Sequence, residues 1–300
     1  MMGRLFCFGL GYSALVLARR LKARGWSVAG TCRTADKAAA LAAEQIAAHL
    51  FDRGHPLDPA ALAGATHLLL SIPPDADADP VLAHLPDTPG LVWAGYLSTT
   101  GVYGDRGGAW VDEASELRPS GERGRRRVAA EAGWLRLWRE QGLPVHIFRL
   151  AAIYGPGRSP FEALRQGTAR RIDKPGQVFS RIHVEDLTSV LEASMARPRP
   201  GAVYNVCDDL PTPPQEVVAC AARLLGVPVP PLVPIADAGL SPMARSFYDD
   251  SKRVSNTLIK DELGVRLSYP DYRAGLAAIL EAETHGAFPP PFPPPQAGQG

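Results

Sequence analysis

The amino-acid sequence predicts an α/β protein with a doubly wound parallel sheet, followed by a smaller, loop-rich C-terminal lobe. Two observations carry this prediction. Short apolar runs of strand length alternate with amphipathic helical segments up to about residue 152, and later segments are short and broken by proline and glycine. Alternation of the first kind is typical of parallel strands covered by helices on both faces. The 300 residues, 46% of them hydrophobic, are enough to form such a core.

The strands and helices of the first lobe follow from this pattern in order. Six short apolar strands are predicted, at residues 4–9, 26–33, 50–52, 66–72, 91–98 and 145–152. Apolar residues at helical spacing predict helices between them, at 13–24, 36–49 and 125–141. Gly25 stands directly after the first helix, where glycine commonly ends a helix.

Beyond Tyr154 the sequence changes to short segments with a high density of proline. Two helices are predicted there, at residues 214–225 and 272–281. We therefore expect a first lobe over residues 1–154 and a second lobe over 155–285, from which some segments return to the first. Residues 286–300 are rich in proline, which predicts a flexible tail.

Charge and cysteine content exclude several classes of function. The chain has 32 Lys and Arg against 31 Asp and Glu, a balance that predicts no bulk attraction to nucleic acid or to a membrane. The four cysteines form no CxxC pair and no metal-ligand spacing, so we expect reduced thiols and no metal site. No apolar run has the length of a membrane span, and no signal-peptide pattern opens the sequence. These features predict a cytoplasmic protein.

A glycine-rich turn follows the first predicted strand. The six residues from Gly9 to Ala14 have the pattern G-x-G-x-x-A. The first glycine allows a tight turn, the second lets backbone N–H groups approach a pyrophosphate, and the alanine lets the helix pack close to the sheet. A strand before the motif and a helix after it are the context of dinucleotide binding in Rossmann folds. The alternative is a purely structural turn. The residues assigned to the cofactor here are Gly9, Leu10, Gly11, Tyr12 and Ser13.

The end of the second predicted strand indicates which dinucleotide is bound. An NAD site has an acidic residue there for the ribose 2′-hydroxyl, whereas an NADP site needs a cation for the 2′-phosphate. The chain has Arg33 and Thr34 and no acid before Asp36, so we predict NADP rather than NAD. A solvated surface arginine is the alternative. The ends of the next two strands add the cofactor candidates Asp52, Ser71, Ile72 and Pro73.

Residues 97–105 (LSTTGVYGD) resemble the segment S-S/T-x-x-V-Y-G-D of extended short-chain dehydrogenases/reductases, the NAD-dependent epimerase/dehydratase superfamily. Further matches follow in the same order. They are 149–158 (RLAAIYGPGR), 181–186 (RIHVED), 203–206 (VYNV) and 252–253 (KR) ahead of 263–264 (LG). Together they cover nearly the whole chain, and the chain is most similar to the atypical, YeeZ-like branch.

The resemblance implies which residues would act in catalysis. Thr99, with Ser98 and Thr100 beside it, would hydrogen-bond the substrate oxygen while hydride moves to or from the nicotinamide, and Ser98 would also contact the cofactor. A strand-end threonine bonded only to backbone is the alternative. The resemblance also implies a homodimer through the helices that flank this strand.

The usual Tyr-x-x-x-Lys of the family is missing. Glu131 matches the glutamate of the following helix, which puts Arg127 at the lysine position and Arg123 at the tyrosine position. Arginine stays protonated in proteins and cannot carry the proton, although Arg127 can still hold ribose hydroxyls. A Tyr-x-x-x-Lys string does occur from Tyr248 to Lys252, but in the second lobe, and we interpret it as chance.

The substrate is predicted to be a small molecule with an anionic group, because several family positions around the cleft are arginine; surface ion pairs are the alternative. Ala152 stands where nucleotide-sugar enzymes of the family carry a substrate-binding asparagine, which argues against a nucleotide-sugar substrate. The residues assigned to the substrate are Arg123, Thr100, Tyr103, Tyr154, Arg158 and Arg181.

Two classes of function stay open at this point. The first is an NADP-dependent oxidoreductase or epimerase that lacks the usual tyrosine and takes its proton from water, the substrate or a hydroxyl such as Tyr103 or Tyr154. The second is a non-catalytic NADP-binding sensor or interaction protein on the same fold. Retention of Thr99 favours the first class, and loss of the tyrosine favours the second.

Overall fold

The computed structural model describes residues 3–285 except 53, 77, 83, 86 and 87, so the predicted tail at 286–300 lies outside the described residues. A seven-stranded, all-parallel sheet forms the centre, with helices on both faces, and the predicted fold class is confirmed. The strands are β1 Arg4–Phe8, β2 Ser27–Cys32, β3 Ala47–Leu50, β4 His67–Leu70, β5 Trp93–Thr99, β6 Trp110–Val111, β7 Val145–Leu150, β8 Ala152–Tyr154, β9 Arg171–Asp173, β10 Arg181–His183, β11 Val203–Val206, β12 Leu232–Pro234 and β13 Arg253–Val254. The helices are α1 Tyr12–Ala23, α2 Ala35–Ala43, α3 Glu122–Gln141, α4 Pro160–Arg165, α5 Val184–Ala196, α6 Pro214–Leu225, α7 Pro242–Ser246, α8 Thr257–Asp261 and α9 Tyr272–Thr284.

The central sheet has the strand order β3-β2-β1-β4-β5-β7-β11. From β1 the chain first adds strands on one side and then, from β4 onward, on the other. Ligands of such sheets bind at the carboxyl edge where the order reverses, which here is the edge of β1 and β4. The strands are nearly all buried, and separate apolar clusters cover the two faces of the sheet. One cluster includes side chains of α1 and α5, and the other includes side chains of α3.

The helix predicted over residues 36–49 ends early, and the strand predicted at 50–52 is misplaced. Helix α2 stops at Ala43, and β3 already begins at Ala47. Gln45 has a positive φ of 57°, a backbone conformation that ends an α-helix. Alanines lie on both sides of this break, and their high helical propensity predicts one continuous helix there.

The sheet contains one strand more than the six predicted. Strand β11 pairs in parallel with β7, with Asn205 opposite Arg149, so residues far into the second lobe complete the first. The segment VYNV resembles a family motif, but the sequence pattern does not place it in the sheet. The predicted strand at 145–152 is two strands: β7 belongs to the central sheet, whereas β8 pairs with β10.

Outside the central sheet, short strands form small parallel pairs, two of which join a strand from the first 154 residues to one from the second lobe. The pairs are β8 with β10, β9 with β12, and β6 with β13. A separate apolar cluster around Phe161 and Leu276 packs α4, α6 and α9 together. Helix α5 returns to the first lobe, where Arg20 of α1 pairs with Glu185 and Glu192. The helices predicted at 214–225 and 272–281 are confirmed as α6 and α9.

Candidate functional site

The turn between β1 and α1 presents unpaired backbone N–H groups at the carboxyl edge of the sheet. Gly9 has a φ of +90°, and a Cβ atom there would lie 2.9 Å from the Ile72 side chain, so only glycine fits without strain. Gly11 is the N-cap residue and supplies no side-chain cap. Among the described residues no acceptor meets the N–H groups of the first turn of α1, at residues 12–14. Such a helix start binds an anion.

The end of β2 brings two cations together. Arg33 and Thr34 are exposed, and the Thr34 hydroxyl caps α2 by accepting from the Lys37 backbone N–H at 3.3 Å. Lys37 lies one helical turn beyond Arg33; partial burial, together with the Arg33 charge, lowers the pKa of its ammonium. The sequence predicts Arg33 and Thr34 as cofactor residues but not Lys37. Its spacing of four residues from Arg33, just inside a capped helix, was the available signal.

The other cofactor candidates occupy two different surroundings. Ser71 and Ile72 are half-buried beside the glycine turn, where the Ser71 N–H donates to the Phe8 carbonyl at 2.9 Å, and Pro73 is exposed. Asp52 is exposed, and one of its carboxylate oxygens closes a local turn by accepting from the N–H groups of residues 54 and 55. The structure therefore brings Ser71 and Ile72 to the glycine turn and gives Asp52 a local role.

Thr99 ends β5 and begins a 3₁₀ turn at Thr100–Tyr103. Its Oγ1 accepts from the Gly101 N–H at 3.1 Å, while its hydroxyl proton has no acceptor among the described residues. Both Thr99 and Thr100 are partly exposed. The first turn of α3 packs directly on this segment, since a Cβ atom at Gly124 would lie 3.0 Å from the Gly101 carbonyl oxygen. Thr99 thus keeps one hydrogen-bond donor free at the carboxyl edge.

Helix α3 carries Arg123 and Arg127, the two arginines that the sequence predicts at the tyrosine and lysine positions of the family. The Arg127 guanidinium donates to the Leu97 carbonyl and lies 5.8 Å from the centre of the Tyr96 ring. Arg123 is exposed, and its Cζ lies 5.8 Å from the ring centre of Phe247, which follows α7 in the second lobe. Arg127 is therefore fixed against β5, and Arg123 stands between the lobes.

A buried hydrogen-bond network joins β5 to its neighbours. Ser98 donates to Glu131 at 2.5 Å, and Arg149 makes a 2.9 Å ion pair with the same carboxylate. Arg149 also donates to the Tyr103 hydroxyl at 2.9 Å, which in turn donates to Asn205 Oδ1 at 2.7 Å. Tyr103 is 0% exposed, which leaves no surface for a substrate or a proton to reach. Neither Ser98 nor Tyr103 lies at the open end of the site.

A second buried polar cluster lies where β10 begins and β11 ends. Arg181 is 8% exposed and donates to the carbonyls of Phe179 and Thr212, at 2.9 and 3.2 Å. Asp208, 1% exposed, makes no ion pair with it, and its Oδ2 atom has no hydrogen-bond partner among the described residues. Burial raises the pKa of Asp208 to about 7, and the nearby Arg181 charge opposes this shift. Tyr154 is buried alongside, with its hydroxyl 3.4 Å from the Asp271 carbonyl.

Arg158 lies at the glycine turn. Its guanidinium carbon is 5.7 Å from the centre of the Tyr12 ring, and the Tyr12 hydroxyl donates to the Pro156 carbonyl at 3.0 Å. The six residues assigned to the substrate lie in four different places. Thr100 and Arg123 lie near Thr99, and Tyr103 lies in the buried network of Glu131 and Arg149. Arg181 and Tyr154 lie in the second buried cluster, and Arg158 lies beside the cofactor candidates.

The sequence and the fold of this chain are similar to those of known proteins. No protein-family model matches the sequence. Protein YeeZ of Escherichia coli K12 is 29% identical over 289 residues, which cover 90% of this chain and 97% of YeeZ. A protein of unknown function from Silicibacter pomeroyi, whose structure has been solved, is 55% identical to this chain. The alignment covers 93% of this chain and 99% of that protein, with a TM-score of 0.87. The chain belongs to the family of that protein and is a homologue of YeeZ.

The structural neighbours of this YeeZ homologue are members of the NAD-dependent epimerase/dehydratase superfamily. A dTDP-glucose 4,6-dehydratase from Bacillus anthracis, solved with NAD, has a TM-score of 0.76 at 17% identity and covers 95% of this chain and 97% of its own. A UDP-glucuronic acid 4-epimerase from Bacillus cereus, also with NAD, has a TM-score of 0.73 at 14% identity, with coverages of 94% and 99%. At such identities these neighbours establish the fold.

Two further features of the YeeZ homologue concern membranes and metal ions. Within residues 3–285, apart from the five undescribed positions, no helix combines the length and apolar character needed to cross a membrane. In the same range, no group of three or more His, Cys, Asp or Glu side chains is placed to share a metal ion. The thiols of Cys7, Cys32, Cys207 and Cys220 are free.

Proposed function

We propose that this protein binds NADP and acts as an oxidoreductase- or epimerase-like enzyme of the short-chain dehydrogenase/reductase superfamily. Its substrate would be a small hydroxy or carbonyl compound with an anionic group. The observation that carries the proposal is the anion-binding start of α1, next to the two cations at the end of β2. A dinucleotide with a third phosphate on its ribose needs this pair of features.

The preference for NADP rests on the chemistry at Arg33 and Lys37. The Arg33 guanidinium is exposed and can form two parallel hydrogen bonds to a phosphate. The Lys37 ammonium adds a second positive charge from the first turn of α2. No carboxylate stands at the end of β2 to bind the 2′-hydroxyl of NAD. The residues present therefore fit the phosphorylated cofactor better.

The proposed chemistry uses Thr99 as the group that touches the reacting oxygen. When bound, the nicotinamide would supply or accept hydride, and the free Thr99 hydroxyl proton would hydrogen-bond the substrate oxygen. The Arg127 guanidinium would hold the nicotinamide ribose. Tyr103 and Tyr154 are too deeply buried to deliver the proton, so water or the substrate itself would supply it.

The anionic group of the substrate would be held by Arg181. This guanidinium is buried, and among the described residues it has no ion-pair partner. A buried cation without a counter-charge is costly, and an anionic ligand would remove that cost. The neighbouring Asp208 holds its proton up to near-neutral pH, so it does not neutralise Arg181 fully.

Titration calorimetry with NADPH and NADH tests the cofactor assignment. We expect the wild type to bind NADPH at least about tenfold more tightly than NADH, since a charge-assisted hydrogen bond contributes more than about 1.4 kcal/mol. Arg33→Gln should remove this preference. The control is Arg139→Gln, which removes the same charge from an exposed position in the last turn of α3. This variant should retain the preference for NADPH. Absence of binding of either dinucleotide to the wild type would overturn the proposal.

NADPH oxidation across a panel of aldehydes, ketones and keto acids tests the enzyme. Turnover by the wild type and its loss in Thr99→Ala are expected, with unchanged affinity for NADPH. The alternative function is a non-catalytic NADP sensor, which is favoured by the exposed Arg123 at the tyrosine position. Binding without turnover on any substrate, together with no effect of Thr99→Ala, would favour the sensor.

A further inference from the structure

We infer that Arg158 binds the pyrophosphate of the cofactor, and that through it the second lobe closes over the glycine turn. This inference rests on the proposed NADP binding. It also changes the role assigned to Arg158 from the sequence, which was to bind the substrate. The guanidinium stacks on Tyr12, the first residue of α1, and not on any residue of the Arg181 cluster.

The loop that carries Arg158 is held firmly against the glycine turn. The Tyr12 hydroxyl donates to the Pro156 carbonyl at 3.0 Å. A Cβ atom at Gly155 would lie 2.5 Å from that same hydroxyl oxygen and 2.7 Å from Val184, so the close approach requires glycine. The two segments are more than 140 residues apart in sequence, yet they pack with no gap that a single methyl group could enter.

The loop that carries Arg158 is a hydrogen-bonded backbone turn. Gly155 and Arg158 exchange two backbone hydrogen bonds, of 3.2 and 2.9 Å. Gly157 between them has a φ of +67°, which glycine adopts without strain. Directly afterwards Ser159 begins α4 with a capping box to Glu162. A loop whose backbone is fixed on both sides of Arg158 in this way loses little conformational entropy when it binds a ligand.

The charges around Arg158 leave it available for an anion. It is exposed, and no carboxylate among the described residues lies within ion-pair distance. The two acids whose charges act on the neighbouring Tyr12 hydroxyl have partners of their own: Glu162 accepts from Ser159, and Glu185 pairs with Arg20. Beside it are the unpaired N–H groups of the first turn of α1. A pyrophosphate at that helix start would therefore meet a guanidinium from the opposite lobe.

Fragment binding separates this role from the adenosine side of the site. Isothermal titration of Arg158→Gln with NADPH and with 2′-AMP, which has the 2′-phosphate but no pyrophosphate, is the test. We expect about a tenfold loss of NADPH affinity, as for one charge-assisted hydrogen bond, and unchanged 2′-AMP affinity. Arg33→Gln should weaken both ligands. The matched control is Arg165→Gln, which loses the same charge from α4, where Arg165 pairs with Glu283; it should bind both ligands as the wild type does.

Each contrary result has a distinct meaning. If the wild type binds NADPH and Arg158→Gln binds it equally well, this inference is overturned while the proposed function stands. Equal losses for NADPH and 2′-AMP would also overturn it, because the effect would then be a general disturbance of the site. If Arg158→Gln leaves the NADPH affinity unchanged but raises the KM for a carbonyl substrate, the inference is overturned and Arg158 binds the substrate, as the sequence predicts. If the wild type binds neither ligand, the proposed function itself fails.

Discussion

Asp208 shows how burial sets the properties of a single residue. Its carboxyl group is almost fully buried, one oxygen has no partner among the described residues, and burial raises its pKa from 3.8 to about 7. In the folded protein the group therefore stays protonated at pH values where the unfolded chain has released the proton. The folded state binds more protons over this window, so ionisation of Asp208 lowers stability as the pH rises from about 4 to about 7.

We expect Asp208→Asn to become progressively more stable than the wild type as the pH rises. Asparagine has nearly the same shape and cannot ionise, so the difference in Tm between variant and wild type should grow from pH 5 to pH 7 and then level off. Thermal unfolding followed by circular dichroism at half-unit pH steps measures it. A difference that does not change with pH would show that Asp208 titrates in the folded protein as it does in the unfolded chain.

At the scale of single residues, the sequence predicts which chemical groups are present better than it predicts what surrounds them in the fold. The pattern at Gly9 and Gly11 indicated a tight turn with backbone N–H groups available, and the structure has both. The motif at residues 97–105 predicts Tyr103 as a substrate residue. The pattern does not reveal that the Tyr103 hydroxyl is buried between Arg149 and Asn205. Burial of this kind depends on contacts between residues far apart in sequence. A hydroxyl group is visible in a sequence, and its neighbours are not.

At the scale of elements, the contact between α3 and the turn after β5 positions Thr99. The first turn of α3 fits against this turn because residue 124 is glycine: an added Cβ atom would lie 2.7 Å from Pro119 and 3.0 Å from the Gly101 carbonyl oxygen. Neither neighbour is the flexible end of a side chain. The helix and the turn must therefore separate slightly to admit even one methyl group.

Gly124→Ala should lower the free energy of unfolding by about 1–2 kcal/mol, although alanine has the higher helical propensity. Urea unfolding measures this change. The matched control is Gly121→Ser, one turn earlier, because nothing lies within 4 Å of a Cβ atom there and serine is a better N-cap than glycine. We expect the control to be as stable as the wild type or more so. Equal stability of Gly124→Ala and the wild type would show that Pro119 and Gly101 move aside for the added methyl group without a loss of stability.

The predicted elements were most accurate where glycine or proline marks an end. Helix α6 was predicted with its observed bounds, since proline opens it and Gly226 ends it with a φ of +69°. The end of α2 was missed because the residue that breaks it, Gln45, has no intrinsic preference for a left-handed backbone. Here the pairing of β3 with β2 overrides local preference, and such an override comes from tertiary structure.

At the scale of the whole molecule, one buried ion pair connects both halves of the chain. Glu131 of α3 binds Ser98 of β5 and Arg149 of β7, and Arg149 reaches Tyr103, which bonds Asn205 of β11. Every charged member is buried, so each depends on the others to offset the cost of leaving water. Removal of one partner leaves an uncompensated charge inside the protein.

Glu131→Leu is expected to lower the free energy of unfolding by about 3–5 kcal/mol, because Arg149 then remains buried without its counter-charge. The double variant Glu131→Leu with Arg149→Met removes both charges and should recover much of that loss. Chemical denaturation of the two single variants and the double variant forms a complete cycle. A double variant less stable than either single one would mean that the pair itself, and not the isolated charge, supplies the stability.

The position of β11 has a consequence for how the protein is made. A ribosome releases the first six strands of the sheet well before residues 203–206, and until then the apolar segment VHIFRL lacks its outer neighbour. Unpaired strand edges of this kind attract other chains. The nascent polypeptide therefore passes through a stage at which aggregation competes with completion of the sheet, and that stage lasts until some fifty further residues, counted along the chain, have been synthesised.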